Sequence, residues 1–425
     1  MPHRLCRPPF PDAEEHRTLH NWRPRPSIET RTSWVVACSV LVILMISSGT
    51  PWILVVAMKP VASDLGVART GPALAGSLTV LGAGFGAIAM GWLASRIGVR
   101  WVVAFGSVMI CIGHAVAASG GIWSLYIAYA LILGALGHAC LNSPLQVHVS
   151  HWFDRCRGRA LALVASGPYV GGIIWPVIFE RGLQAWGWRG TMLFYGVLQL
   201  VLVLPLAGVL LRRLPASAQG LALQDEPMPG ARVLDMPPRL ALALLASASF
   251  LCCIPMALPT VHLVSLCTDL GLSAAQGVGI LSLLQICAFT SRQFWGWLSD
   301  RIGGLRSILA GSVCQALAIA GFLASTDETG LVAAAAGFGL GFAGIIPAYA
   351  LTVRELFPAA AAGWQVPMVS LGGTLGMAGG GWLGATLYEG FGTYATAFAV
   401  GLVFNLMHLV LLSVLVARRG RAVAP

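Results

Sequence analysis

Arg292 lies inside an apolar run, eight residues before Asp300. At about 1.5 Å per residue, a helix through this run carries the guanidinium roughly 12 Å inward from the aspartate. An arginine at the centre of a membrane-spanning helix costs about 2.5–3.5 kcal/mol on insertion scales, so it must face a cavity or a partner. The 16 acidic residues fall in the tails, in loops or near the ends of apolar runs. No carboxylate is therefore placed to neutralise Arg292 from within. An anion brought from outside fits the role, held through the bidentate guanidinium fork. The competing reading is an arginine that snorkels to the nearer membrane face, or one that bonds the carbonyls of a broken helix.

Other polar groups within apolar runs are Asn142, Gln146, Tyr169, Gln285 and Tyr349. Their hydroxyls and amides either reach substrate or make interhelical hydrogen bonds. His114, His138, His148, His262 and His408 also lie in such runs. With no buried carboxylate at hand, a histidine is the group best able to carry a proton near neutral pH. The reading favoured for each is a structural histidine bonding a neighbouring helix.

Several chemistries are excluded. Lys59 is the only lysine and Pro60 follows it, so no Walker A loop exists and a Schiff base is implausible. Neither H-E-x-x-H nor G-x-S-x-G occurs. The 10 cysteines form no C-x-x-C pair and no Cys/His ligand spacing, which makes them packing residues. No enzyme activity, metal or cofactor is expected.

The elements that carry these groups belong to a membrane. Hydrophobic residues make up 57% of the chain and charged residues 10%, with a mean hydropathy of +0.80. Soluble domains are about a quarter charged. Apolar runs of about twenty residues recur twelve times, the length that spans a bilayer, and only helices satisfy their own backbone there. The stretch GWLASRIG at 91–98 returns as GWLSDRIG at 296–303, 205 residues later. A self-match at half the chain length marks a duplicated unit, and in membrane proteins it places a transport site between the halves. The organisation read from this is a basic tail over 1–31, a six-helix bundle over 32–211, a linker over 212–238, a second bundle over 239–416 and a tail over 417–425. Gly372, Gly376, Gly380 and Gly384 make one glycine face on the eleventh helix, and Gly82 and Gly86 a shorter one on the second; such faces let backbones approach.

The net charge of +10 does not point to nucleic acid, because 21 of the 26 basic residues sit in the tails and alternate loops. By the positive-inside rule this places both termini in the cytoplasm of a multi-pass protein of the cell (inner) membrane. The bilayer is the expected partner and a monomer the expected state.

The twelve spans, the central loop and the pattern G-x-L-x-x-R-x-G-x-R after helix two, echoed after helix eight, resemble the major facilitator superfamily over nearly all of 32–416. Within it, HWFDRCRGRA at 151–160, the WGWRG turn at 186–190, and His262-Leu263-Val264 with Thr268-Asp269-Leu270-Gly271 are similar to the monocarboxylate transporter-like branch, which includes oxalate–formate exchangers. The resemblance implies an all-α fold of two pseudo-symmetric bundles rocking about a midplane cavity, with organic anions as usual substrates. It implies a carboxylate-binding arginine at the position of Arg292. It also favours Tyr349 and Asn142 as cavity residues, since the superfamily lines its cavity with helices one, four, seven and ten, and His262 matches the branch pattern. Ala288 stands where the branch often has an acid one turn before the arginine, and Ser95 where the superfamily usually has Asp in the first loop.

The loop residues Gly91, Arg96, Gly98, Arg100, Arg155, Arg159, Gly296, Asp300, Arg301 and Glu355 are read as gating groups. Their basic members signal topology and bind helix ends or acids of the opposite half when that side closes, with Asp300 and Glu355 as partners. The expected function is secondary transport of a small organic anion, a monocarboxylate, by alternating access, with proton symport or anion exchange as the coupling. The alternatives are a facilitator of another solute, such as a drug or zwitterion, and a non-transporting receptor on the same bundle.

Overall fold

Two of the long helices break one turn before a proline, at Pro51 and Pro347. Pro51 has no N–H to offer Ser47, and the first helix is interrupted after Ser47. Pro347 likewise cannot reach Ala343, and the tenth helix breaks at Ala343 and Gly344. The computed structural model describes residues 29–153, 156–211, 233–357 and 359–423, which are helical apart from turns and one bridge between Val233 and Met236. Residues 1–28, most of the expected linker, Arg155 and the last two residues lie outside the described residues.

Among the described residues twelve helices follow in order: α1 Arg31–Asp64, α2 Thr70–Ile97, α3 Val99–Ser119, α4 Ile122–Ser150, α5 157–186, α6 188–210, α7 Pro238–Asp269, α8 Ala274–Ile302, α9 Gly304–Ala324, α10 Glu328–Leu356, α11 Ala359–Phe391 and α12 Tyr394–Val423. The apolar stretch Arg159–Val209 holds two spans. Gly187, at φ 65°, reverses the chain between them, a backbone conformation that favours glycine. The Trp175 and Tyr195 rings then meet at 4.9 Å, although 20 residues of straight helix would hold them about 30 Å apart. Gly98 and Gly303, at φ 92° and 82°, end α2 and α8 the same way. Ser273 opens α8 with a reciprocal cap on Gln276. The middle of α4, Ala128–His138, is π-helical.

Buried apolar residues form two main clusters. One runs from Val36 to Leu211, the other mostly from Val233 to Leu415, with Trp52 packed against both. The duplication is visible in the packing. A methyl on Gly167 would lie 2.8 Å from the Leu41 carbonyl oxygen and one on Gly171 2.7 Å from that of Met45; Gly372 and Gly376 stand in the same relation to Ala246 and Phe250, at 2.3 and 2.4 Å. Every member of these pairs is 205 residues from its counterpart. Gly134 on Thr79 and Gly339 on Leu284 repeat at the same offset. With no hydrophobic drive between helices in lipid, such backbone approaches supply the packing. The glycine face of α11 therefore beds on the carbonyls of α7 within one half.

Two hydrogen bonds that cross between the halves obey the same symmetry. Ser77 Oγ on α2 donates to the Ala378 carbonyl on α11 at 2.6 Å, and Ser282 Oγ on α8 to the Ile173 carbonyl on α5 at 3.2 Å. Donors and acceptors are again 205 residues apart. Within the halves, Ser107 donates to Gln199 and Ser312 bonds His408, tying the third helix of each half to its sixth.

Candidate functional site

Arg292 faces the seam between the halves. On α8, Ser282, Gln285 and Arg292 follow at helical spacing along one stripe, and that stripe meets α5. Ser282 bonds Ile173, the Gln285 side chain packs beside Gly172, and the Arg292 guanidinium carbon sits 5.2 Å from the centre of the Tyr169 ring. A methyl on Gly172 would lie 2.8 Å from Trp52 and 3.0 Å from Gln285, so this glycine makes the room in which α1, α5 and α8 converge. Phe342 of α10 backs Tyr169, ring to ring at 6.3 Å.

Arg292 is half-buried, and among the described residues it has neither an ion pair nor a hydrogen bond. An aromatic face attracts a cation but leaves all five N–H donors free. The duplication sharpens the point. The position 205 residues before Arg292 is Ala87, and the partner of Tyr169 is Thr374, so the charge breaks the symmetry of the scaffold. The chemistry on offer is one bidentate anion site beside aromatic walls.

Of the other expected site residues, the structure brings Tyr169 and Gln285 to this stripe. Asn142 and Gln146 sit on α4, where the Gln146 amide donates to Asn142 Oδ1 at 2.7 Å; Asn142 is exposed. Among the described residues neither forms a hydrogen bond with Arg292. Tyr349 turns away from the seam: it is buried in the second half, its hydroxyl 2.8 Å from His408 Nε2, with His408 Nδ1 2.8 Å from Ser312. His262 is also elsewhere, fully buried, with Nε2 2.8 Å from the Gly381 carbonyl and its ring beside Tyr394. Sequence reasoning placed Tyr349 in the cavity because its helix lines it and His262 because it matches the branch pattern, but the side of the helix was not readable. It left Trp52 open between an interface anchor and a cavity wall, and it missed Gly172 and the two serines. The 205-residue offset, applied to every polar residue in the spans, would have paired Ser77 with Ser282.

The end of the bundle opposite the repeated loops is held by an ionic cluster. Asp269, closing α7, takes Lys59 Nζ at 2.6 Å and both Arg69 guanidinium nitrogens at 2.6 and 2.9 Å. Arg69 lies 4.0 Å over the Tyr388 ring and also reaches the Tyr394 hydroxyl at 3.4 Å. Partial burial works against the Arg69 charge, yet the bonds to Asp269 and Tyr394 outweigh it and raise its pKa. Beside them Glu389 accepts the Thr70 N–H at 2.6 Å. Lys59, Arg69 and Thr70 belong to one half, and Asp269, Tyr388, Tyr394 and Glu389 to the other. The counterpart of Asp269 at the 205-residue offset is Asp64, which stays in its own half on Arg189 at 2.9 Å and Trp188 at 3.1 Å. One acidic position, duplicated, thus closes its own bundle in one copy and crosses to the other in the second.

At the end with the repeated loops the expected gating residues make local contacts. Arg96 stacks on Trp92, Arg100 on Trp101 and Arg301 on Trp297, each on its own helix or beside it. Glu355 accepts the Gly304 N–H at 3.0 Å and pairs with Arg419 at 2.5 Å inside its own half. Asp300 is exposed, as is Arg159, and a methyl on Gly91 or Gly296 would meet open space. Among the described residues no ion pair joins the halves here. No group of three or more His, Cys, Asp or Glu that could hold a metal occurs among them either.

Comparison with known proteins agrees with this architecture. The sequence profile described as Major Facilitator Superfamily matches residues 40–364. Monocarboxylate transporter 13 of Bos taurus is 26% identical over 331 residues, covering 74% of this chain and 73% of that protein. An agnestins efflux protein of Paecilomyces divaricatus is 24% identical over 314 residues, covering 71% and 70%. Among solved structures, a mutant of the peptide transporter POT in complex with sulfate superposes with a TM-score of 0.70 at 17% identity, covering 90% of this chain and 94% of the other.

Proposed function

The chain belongs to the major facilitator superfamily, and from that footing we propose that this membrane transporter carries a small organic monoanion, a monocarboxylate, by alternating access. The observation that carries the reading is the Arg292 guanidinium, set between the halves over Tyr169 and matched by no described carboxylate. A cation left with free donors in a low-dielectric seam favours a carboxylate that arrives with the cargo, and a single cation favours a single charge. Likeness to a protein named as a monocarboxylate transporter supports the same substrate class.

In this reading the Asp269 cluster seals one side while the repeated-loop side gives access. The distribution of basic residues supports an orientation with the termini and the repeated loops in the cytoplasm. Ala288 supplies no acid beside the arginine, so anion exchange or entry of the protonated acid serves as well as symport with a dedicated proton carrier. The unit of transport is the monomer.

The test is uptake of radiolabelled short monocarboxylates into proteoliposomes, with and without a pH gradient. Arg292→Ala and Arg292→Lys are expected to abolish uptake while expression and elution as a folded monomer survive. The lysine keeps the charge but loses the fork. Full uptake by Arg292→Ala would end the proposal.

A further inference from the structure

A lipid-facing groove of about 680 Å³ runs between α7 and α12, walled by Leu244, Leu251, Val403, Met407 and Val410 and ending at Arg418. Its walls are apolar throughout, and Val403, Met407 and Val410 are 56%, 51% and 66% exposed. From Val403 to Arg418 it extends about 22 Å along α12. That exceeds one leaflet of a hydrocarbon core about 30 Å thick and reaches the headgroup layer. Arg418 lies 24 residues beyond Tyr394, about 36 Å along the helix, which is headgroup depth if Tyr394 marks the other face.

Two of the charges at this mouth have no ionic partner among the described residues. Arg419, the next residue, turns inward to Glu355, whereas Arg418 is exposed and has no ion pair among the described residues. Arg239, in the first turn of α7 and adjoining the groove residue Leu240, is exposed and unpaired in the same sense. Asp235 is exposed at the same end and adds one negative charge against two positive ones.

We infer that this groove is a binding site for an anionic phospholipid, with one acyl chain laid along α12 and the phosphate held between Arg418 and Arg239. The apolar trough alone would accept any lipid; Arg418 in its lining and Arg239 next to its residue Leu240 select the headgroup charge. Each basic residue near an anionic headgroup contributes about a five-fold preference. The site lies outside the seam that contains Arg292 and does not depend on what is transported.

The test is native mass spectrometry of the full chain released from nanodiscs containing equal phosphatidylglycerol and phosphatidylcholine. Wild type is expected to retain one phosphatidylglycerol in preference to phosphatidylcholine. Arg418→Gln with Arg239→Gln should lower that preference at least ten-fold. Val410→Trp, at an exposed position and with both arginines intact, should fill the trough and remove the bound lipid. Arg100→Gln, on the first half and outside the groove, should leave the lipid preference unmoved. Equal retention of the two lipids by wild type would overturn the inference, as would a preference unmoved by the double substitution and by Val410→Trp.

Discussion

Replacing Asp269 by Asn tests the ionic cluster that joins the halves. The carboxylate takes three short bonds, one from Lys59 and two from Arg69, and its side chain is 22% exposed. The Lys59 pair is open to solvent and is worth no more than about 0.2–1 kcal/mol. The Arg69 pair is bidentate, partly buried and stacked on Tyr388, so charge-assisted values of about 1.5–3 kcal/mol apply before discounting for exposure. A net loss of about 1–3 kcal/mol follows, which shifts the ratio of states closed and open at this end by about 5- to 150-fold. Asparagine is nearly isosteric and Asp64 holds the first bundle separately, so the fold should survive. Spin labels at Ala68→Cys and Leu270→Cys, in a background without reactive cysteines, report the separation of the two loops. Wild type should give one short distance and Asp269→Asn a second, longer one. Exchanging the charges, Arg69→Asp with Asp269→Arg, should restore the short distance in large part. Raising the salt concentration should weaken the wild-type closure only modestly, because the arginine pair is shielded. An unchanged distance distribution in Asp269→Asn would refute the view that this cluster holds the halves together.

The seam serines give a second expectation: Ser77→Ala and Ser282→Ala should each shift the same spin-label equilibrium by about 0.6–1.7 kcal/mol, and by similar amounts, because their bonds are related by the duplication. Gly376→Ala should lower the thermal stability of the detergent-solubilised protein by about 1–3 kcal/mol, since the new methyl would press on the Phe250 carbonyl. Gly379→Ala on the same helix meets nothing within 4 Å and should be neutral or slightly stabilising in the same melt. Tyr349→Phe should leave the KM for the transported anion unchanged and lower stability by about 1 kcal/mol, because the hydroxyl serves His408. A tenfold rise in KM would return Tyr349 to the cavity.

Much of this protein is legible from its amino acids alone. Apolar length sets the twelve spans, Gly98, Gly187 and Gly303 mark where the chain turns, and the 205-residue self-match implies two like halves. The depth of Arg292 also follows directly, since helical rise converts residue number into distance. What the sequence cannot express is the direction in which a side chain leaves its helix. In a soluble helix the polar stripe reveals the buried face, but a lipid-facing surface is as apolar as a core, so the pattern carries little azimuthal information. For that reason tertiary structure alone decided that Arg292 and Gln285 look across the seam while Tyr349 and His262 look into their own bundle. It also decided that Asp269 bonds across the halves while Asp64, its duplicate, does not, because which cation lies within reach depends on how two bundles dock and not on local sequence.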